Sequence, residues 1–379
     1  MTPVATKMRF PAVAAALLAL ALAAAGAAPA PKWSVAVVPA GIPLFDSASS
    51  SARVFADVGA GGPGTLIAVG LPPDNSGYRI DLARPAAPVE LAALGLPAPV
   101  QARTIAASRS GAAWMVAQAA QTIVVDPAFA EKRRLEAPRY SPYAGIALAG
   151  GKLFGVGGFV EEPYDPKHGS KSEWMRLFAR QDCALFYVDL ASPGREPHAV
   201  VCDKPYPSMF DRAALGQGFI AASPDEKFVY AIVERTQNFY IIPTANPQQA
   251  RTISLLPAGE KPYQLTSDDM AHLATPGSYF ELRSRFRSPQ GITFGPGSSV
   301  AVIFREKGER AHFTADVFSA GGKRIAAAVP LNLPEGGVRR YAEVANLPSG
   351  EHYLFVSEPD SAFKKALFQN LYRLELKAQ

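Results

Sequence analysis

Residues 289–304 read PQGITFGPGSSVAVIF: a short apolar strand from Gly291, a tight turn at Gly295-Pro296-Gly297, and a second apolar strand from Val300. Gly reaches backbone angles closed to other residues and Pro fixes its own, so the turn is placed by its chemistry. The phrase recurs as PYAGIALAGGKLFGV from Pro142 and GFIAASPDEKFVYAIV from Gly218. Weaker copies are ARTIAASRSGAAWMVA from Ala102 and YAEVANLPSGEHYLFV from Tyr341. Two strands joined by a tight turn, returning every 40 to 75 residues or so (roughly), are the pattern of a radially repeated sheet architecture.

Working outward, each phrase is followed by two further strands, rich in Val, Ile, Phe and Tyr and often alternating in polarity, as half-buried sheet requires. Arg53 opens a set of VFADV, TLIAVG, GYRIDL and PVELAAL, and later sets follow from Thr104, Gly145, Gly218 and Gly291. Between Pro262 and Phe286 the text PYQLTSDDMAHLATPGSYFELRSRF reads as a compressed blade or an insertion. The last set, YAEVANL, HYLFVSE and NLYRLEL, stops one strand short. WSVAVVP, from Trp33 to Pro39, has no partner of its own, and pairing it beside NLYRLEL closes the ring and hides two edges. The expected fold is all-β, a single β-propeller. It has seven blades with one irregular, or six with an insertion.

The P-x-G-I-x-F-x-P-G phrase at Pro289 and the SPDEKFVYAIV phrase at Ser223 resemble the repeats of the YVTN and lactonase-like β-propellers, and beyond them the TolB-type propellers. The third strands depart from that pattern, with a V-x-V-I-D-like ending only at VVDP and YVDL. The resemblance implies a fold. No catalytic residue carries over by position, since propellers host unrelated functions in grafted loops.

The first 27 residues read as an export signal: Lys7 and Arg9, an apolar run from Phe10 to Leu22, and the small residues Ala25-Gly26-Ala27. An uncleaved anchor is the competing reading, which an Ala-rich run of marginal length suits less well. The expected organisation is therefore a signal peptide over 1–27 and a propeller over 28–379, in the periplasm or secreted, monomeric, with no membrane span after cleavage. Cys183 and Cys202 are the only cysteines and flank two strands joined at Ser192-Pro193-Gly194. An even count in an exported chain reads as one disulfide across that hairpin, and two ligands do not complete a zinc site. Net charge is +5, or +3 without Lys7 and Arg9, with acidic residues interspersed. No basic block offers nucleic acid its clustered phosphate contacts.

In a propeller the connections from fourth to first strand and from second to third strand converge on one face. There the sequence repeats a cation followed by Tyr: Arg139-Tyr140 with Tyr143, Lys204 with Tyr206, Lys261 with Tyr263, and Arg340-Tyr341. Either these rings pack between blades, or they rim the channel mouth for a small anionic or sugar-like ligand, or for an envelope protein. The insertion from Val160 to Asp182 overhangs the same face and carries Glu161, Glu162, Asp165, His168, Trp174, Arg176 and Arg180. A second overhang, SEPDSAFKKALFQN from Ser357, sets Phe363, Leu367 and Phe368 at roughly helical spacing.

Catalytic patterns are thin. GAGGPG at Gly59–Gly64 is followed by a strand and holds Pro63, so no helix N-terminus awaits a pyrophosphate. There is no G-x-S-x-G and no H-E-x-x-H, and the five histidines are scattered. The expected function is an exported binding protein with no cofactor or metal assigned. The alternative is a cation-dependent, lactonase-like hydrolase using Glu161, Glu162 and Asp165 as oxygen ligands.

Overall fold

A computed structural model describes residues 32–40, 52–57, 65–70, 77–82, 89–90, 104–107, 113–117, 121–125, 131–136, 145–156, 183–191, 197–202, 218–272, 281–347, 349–361 and 366–378. Strand β1 is Trp33–Pro39, and four meandering groups of four follow. The first is β2 (Ala52–Asp57), β3 (Thr65–Gly70), β4 (Gly77–Asp81) and β5 (Val89–Glu90). The second is β6 (Thr104–Ala107), β7 (Ala113–Ala117), β8 (Gln121–Val125) and β9 (Glu131–Glu136). Then come β10 (Gly145–Ala149), β11 (Lys152–Val156), β12 (Leu185–Asp189) and β13 (Pro197–Val201), and after them β14 (Gly218–Ala222), β15 (Phe228–Val233), β16 (Asn238–Pro243) and β17 (Arg251–Ser254).

The remaining strands form one eight-stranded sheet. They are β18 (Ser288–Phe294), β19 (Val300–Arg305), β20 (Ala311–Phe318), β21 (Arg324–Gly336), β22 (Tyr341–Asn346), β23 (His352–Pro359) and β24 (Ala366–Ala378). The eighth is β1, lying between β21 and β24. As the sequence led us to expect, it runs antiparallel to β24, with Trp33 opposite Ala378 and Pro39 opposite Tyr372. It also touches β21 in parallel, Val35 facing Leu331.

First strands stand side by side in chain order, β2 by β6, β6 by β10, β10 by β14, β14 by β18 and β18 by β22. Then β22 returns to β2. This closed series of radially placed meanders is a propeller-type fold. Core lies between neighbouring sheets: Phe154, Tyr240 and Val229 join β10–β13 to β14–β17, and Tyr230, Phe239, Phe294 and Phe318 join β14–β17 to β18–β21. The second strands β11, β15, β19 and β23 are buried almost throughout, β19 at every position, which is why they read as unbroken apolar runs. Gly291 shows what the P-x-G-I phrase is for: a Cβ there would sit 2.6 Å from Val344 of β22, so Gly lets adjacent first strands approach.

Two expectations are corrected. Between Pro262 and Phe286 the described residues hold helix α1 (Ser267–His272) and a 3-10 turn (Arg283–Arg285), not strands. Thr266 and Asp269 cap α1 reciprocally, Asp269 N–H donating to the Thr266 hydroxyl and Thr266 N–H to Asp269 Oδ2. The overhang from Ser357 is not helical at Leu367 and Phe368: both lie in β24, where Phe368 pairs with Glu358. Chain pairing with β23 overrides the local spacing. Phe363 and the leader, residues 1–27, lie outside the described residues. Among the described residues no helix is long and apolar enough to cross a membrane.

Candidate ligand face

Gly218 pairs with Val233, Ser288 with Arg305 and Tyr341 with Ser357. Residues just before a first strand therefore lie beside residues just after a second strand, on the face where the loops converge. Two units use this adjacency, one with a Glu just after its second strand and one with a Glu near that strand's end. Arg287 precedes β18 and donates from Nε to Glu306, which follows β19, at 2.8 Å. Arg340 precedes β22 and donates from Nε to Glu358 at 2.9 Å. In the unit β14–β17 the equivalent carboxylate, Glu234, takes its arginine from farther along: Arg283 grips it with two bonds of 2.7 Å, both side chains at least 96% buried.

Each clasp has further support. Arg287 also reaches Asp316 and Thr314 and rests 3.6 Å from the centre of the Phe304 ring. Burial opposes its charge, but the Asp316 and Glu306 carboxylates outweigh burial and raise its pKa above the usual arginine value. Arg340 donates to the Pro334 carbonyl at 2.6 Å and lies 4.2 Å from the Phe368 ring centre. Between the clasps Arg305, 1% exposed, donates to the carbonyls of Arg340, Glu306, Gly308 and Val338. Burial, then repulsion from Arg283, push its pKa down to about 10. Arg285 pairs with the buried Asp269, and Arg339 with Glu281.

Of the residues singled out from sequence, Arg139, Tyr140, Tyr143, His168, Trp174, Arg176, Lys204 and Tyr206 lie outside the described residues, as do Glu161, Glu162 and Asp165. Lys261 is exposed. Tyr263 is half-buried, stacked on Phe286 with ring centres 4.9 Å apart, and its hydroxyl donates to Asp269 at 2.8 Å. Burial first, then that carboxylate, raise the Tyr263 pKa. Asp269 stays below the usual carboxylate value: burial pushes it up, but hydrogen bonds from Thr266 and Tyr263 and the charge of Arg285 prevail. Arg340 and Tyr341, 6% and 7% exposed, sit inside the packing between strands.

Sequence reading missed the arginines of L-R-S-R-F-R-S (282–288), which send Arg283, Arg285 and Arg287 to three separate elements. The signal was available in part, as an Arg before a first strand matched by a Glu at the end of the second strand in two successive repeats. In the unit β10–β13 the corresponding end is fixed covalently: Cys183, just before β12, is joined to Cys202, just after β13. Among the described residues no group of three or more His, Cys, Asp or Glu is arranged to hold a metal.

No protein-family model matches the chain, and no curated protein does. Solved structures do. A protein of unknown function from Bacteroides thetaiotaomicron is 13% identical, with 91% of this chain and 76% of that one covered and a TM-score of 0.47. A catalytically inactive virginiamycin B lyase from Staphylococcus aureus, with quinupristin, is 10% identical over 91% and 99%, TM-score 0.45. A chain of the nidogen/laminin complex is 12% identical over 86% and 98%, TM-score 0.41.

Proposed function

We propose that the chain forms one six-bladed ring closed by β1 and acts as an exported binding protein, engaging a small anionic or sugar-like ligand or an envelope protein through its loop-rich face. The observation that carries this reading is the pairing of that face's carboxylates. Glu234, Glu306, Asp316 and Glu358 each already hold an arginine. A carboxylate with a guanidinium within 3 Å is a poor ligand for a divalent cation, which needs several oxygens free of positive neighbours. Two charged groups beside them are also held away from proton transfer near neutral pH: the Arg287 pKa is raised and that of Asp269 lowered. The clasps make a rigid platform, and the proposed contacts are the cations and rings of the connections above it: Arg139, Tyr140, Lys204, Tyr206, Lys261 and Tyr263, with His168, Trp174 and Arg176 of the insertion. Arg340 and Tyr341 brace the platform from within. The hydrolase reading survives only on Glu161, Glu162 and Asp165.

Calorimetry of the exported protein with galacturonate, gluconate and a sugar phosphate, with calcium and then with a chelator, separates the two readings. Binding that leaves the probe chemically unchanged is the expected result. Turnover that needs calcium would establish the hydrolase instead, and silence towards all three probes would reject the small-anion ligand. Replacing Lys204 and Lys261 with Ala should weaken binding about 10-fold, and the change at the exposed Lys261 should cost under ~1 kcal/mol of stability. Ring closure has its own test: deleting residues 28–40 should lower the melting temperature by roughly 10 °C or more, because a whole strand pairing is lost. An unchanged melting temperature would show that the ring does not depend on β1.

A further inference from the structure

The groove between β21 and β24 is better made than the strand that fills it. Its walls include Leu331, Leu354, Val356, Tyr372 and Leu374, all buried and belonging to the core that joins the last two units. Of the seven residues of β1, only Val35 is buried. Val38 is 44% exposed, and the indole N–H of Trp33 is enclosed without a hydrogen-bond partner, which works against its seat. Trp33 and Val37 pack half-buried against the same core, and main-chain pairing with β24 runs the whole length of β1, a contact that an extended segment of the same register can make. When β1 leaves, two 13-residue strands, β21 and β24, each present an open edge. Twelve residues separate Pro39 from Ala52, enough to reach about 40 Å, so β1 can depart while β2 keeps its place.

We propose that this groove is an exchangeable strand-binding site whose partner is β1 of a second copy of the chain. The second copy is the fitting occupant because its β1 carries the same seven-residue register with β24, the same Val at the one buried position and the same twelve-residue tether to β2. At low concentration the tethered strand wins through its high effective concentration; at high concentration two chains trade β1 reciprocally and form a symmetric dimer.

A fluorescent peptide covering Lys32–Ala40, mixed in excess with the intact protein, should be taken up slowly and saturably. The same peptide with Val35→Asp should bind about 10-fold or more weakly, since a charge would enter the apolar pocket. Two differently tagged copies mixed at high concentration should yield a mixed dimer. Tying β1 to its own neighbour through Val37→Cys with Leu374→Cys, which face each other, should suppress both peptide uptake and mixing. Absence of uptake, equal uptake of the Asp peptide, or uptake undiminished in the tied protein would overturn the site. Peptide uptake without any mixed dimer would overturn the second copy as its partner.

Discussion

The unit β10–β13 and the two units β18–β24 secure the same end of their strands by different chemistry. In the first, the Cys183–Cys202 bridge ties the chain where it enters β12 to the chain where it leaves β13. In the second pair, arginines before the first strands hold glutamates at the far ends of the second strands, Glu306 just after β19 and Glu358 near the end of β23. The covalent tie acts mainly by restricting the unfolded chain, and it is indifferent to salt and acid. The ionic ties act in the folded state, where burial makes each half depend on the other. One ring thus contains a region whose loop roots are fastened covalently and another whose roots are fastened by charge.

The sharpest break of this comparison is Glu234→Ala. It strands Arg283, whose side chain is 4% exposed, without its carboxylate, and should cost about 3–5 kcal/mol in urea unfolding. Changing Glu234→Leu together with Arg283→Met should recover much of that loss, because a buried pair replaced by apolar groups is often neutral. A double variant as unstable as the single one would mean that the pair is worth more than its desolvation. The disulfide comes next. Cys183→Ser with Cys202→Ser should cost about 2–3 kcal/mol at most, since the β12–β13 ladder already closes the hairpin from Leu185 to Val201. A larger loss would place covalent above ionic fastening.

Acid separates the regions by another route. His352, on β23, donates from Nδ1 to the Asn346 side-chain oxygen at 2.8 Å, and burial lowers its pKa from 6.5 to about 4. The unfolded chain therefore binds the proton more readily between those values. The contribution is complete above pH 6.5 and is lost as pH falls towards about 4, to the extent of about 2–3 kcal/mol. His352→Leu should flatten the stability profile over that interval. A profile that keeps its slope would move the acid sensitivity to the carboxylates. The smallest effect is expected at Arg310, whose pair with Glu335 is 79% and 75% exposed: Arg310→Ala should change stability by under ~0.5 kcal/mol.

Strand order, the closing role of Trp33–Pro39 and the disulfide were legible without coordinates, because each rests on local chemistry. Apolar runs mark strands, Gly and Pro mark turns, and an orphan strand at one end answers a missing strand at the other. Between Pro262 and Phe286 the sequence offered a compressed blade or an insertion and did not choose between them. Its apolar residues suit a strand, yet Thr266 and Asp269 cap a helix there, and Phe286 is consumed in stacking on Tyr263. The repeated cation-Tyr pairs were legible as a pattern but not in their roles. Lys261 stands in solvent, while Arg340, at the matching place in the repeat, is buried against Glu358 and Phe368.

What the sequence determined by itself, then, is the periodic part of the protein: two strands, a turn, two strands, and a chain whose ends must meet. Which charges face solvent and which are locked was decided only in three dimensions. Arg283 and Glu234 lie 49 positions apart, and no spacing rule joins them. They meet because β14 and β18 stand side by side in the ring, which sets the turn after β15 beside the connection into β18, and desolvation there makes each charge depend on the other.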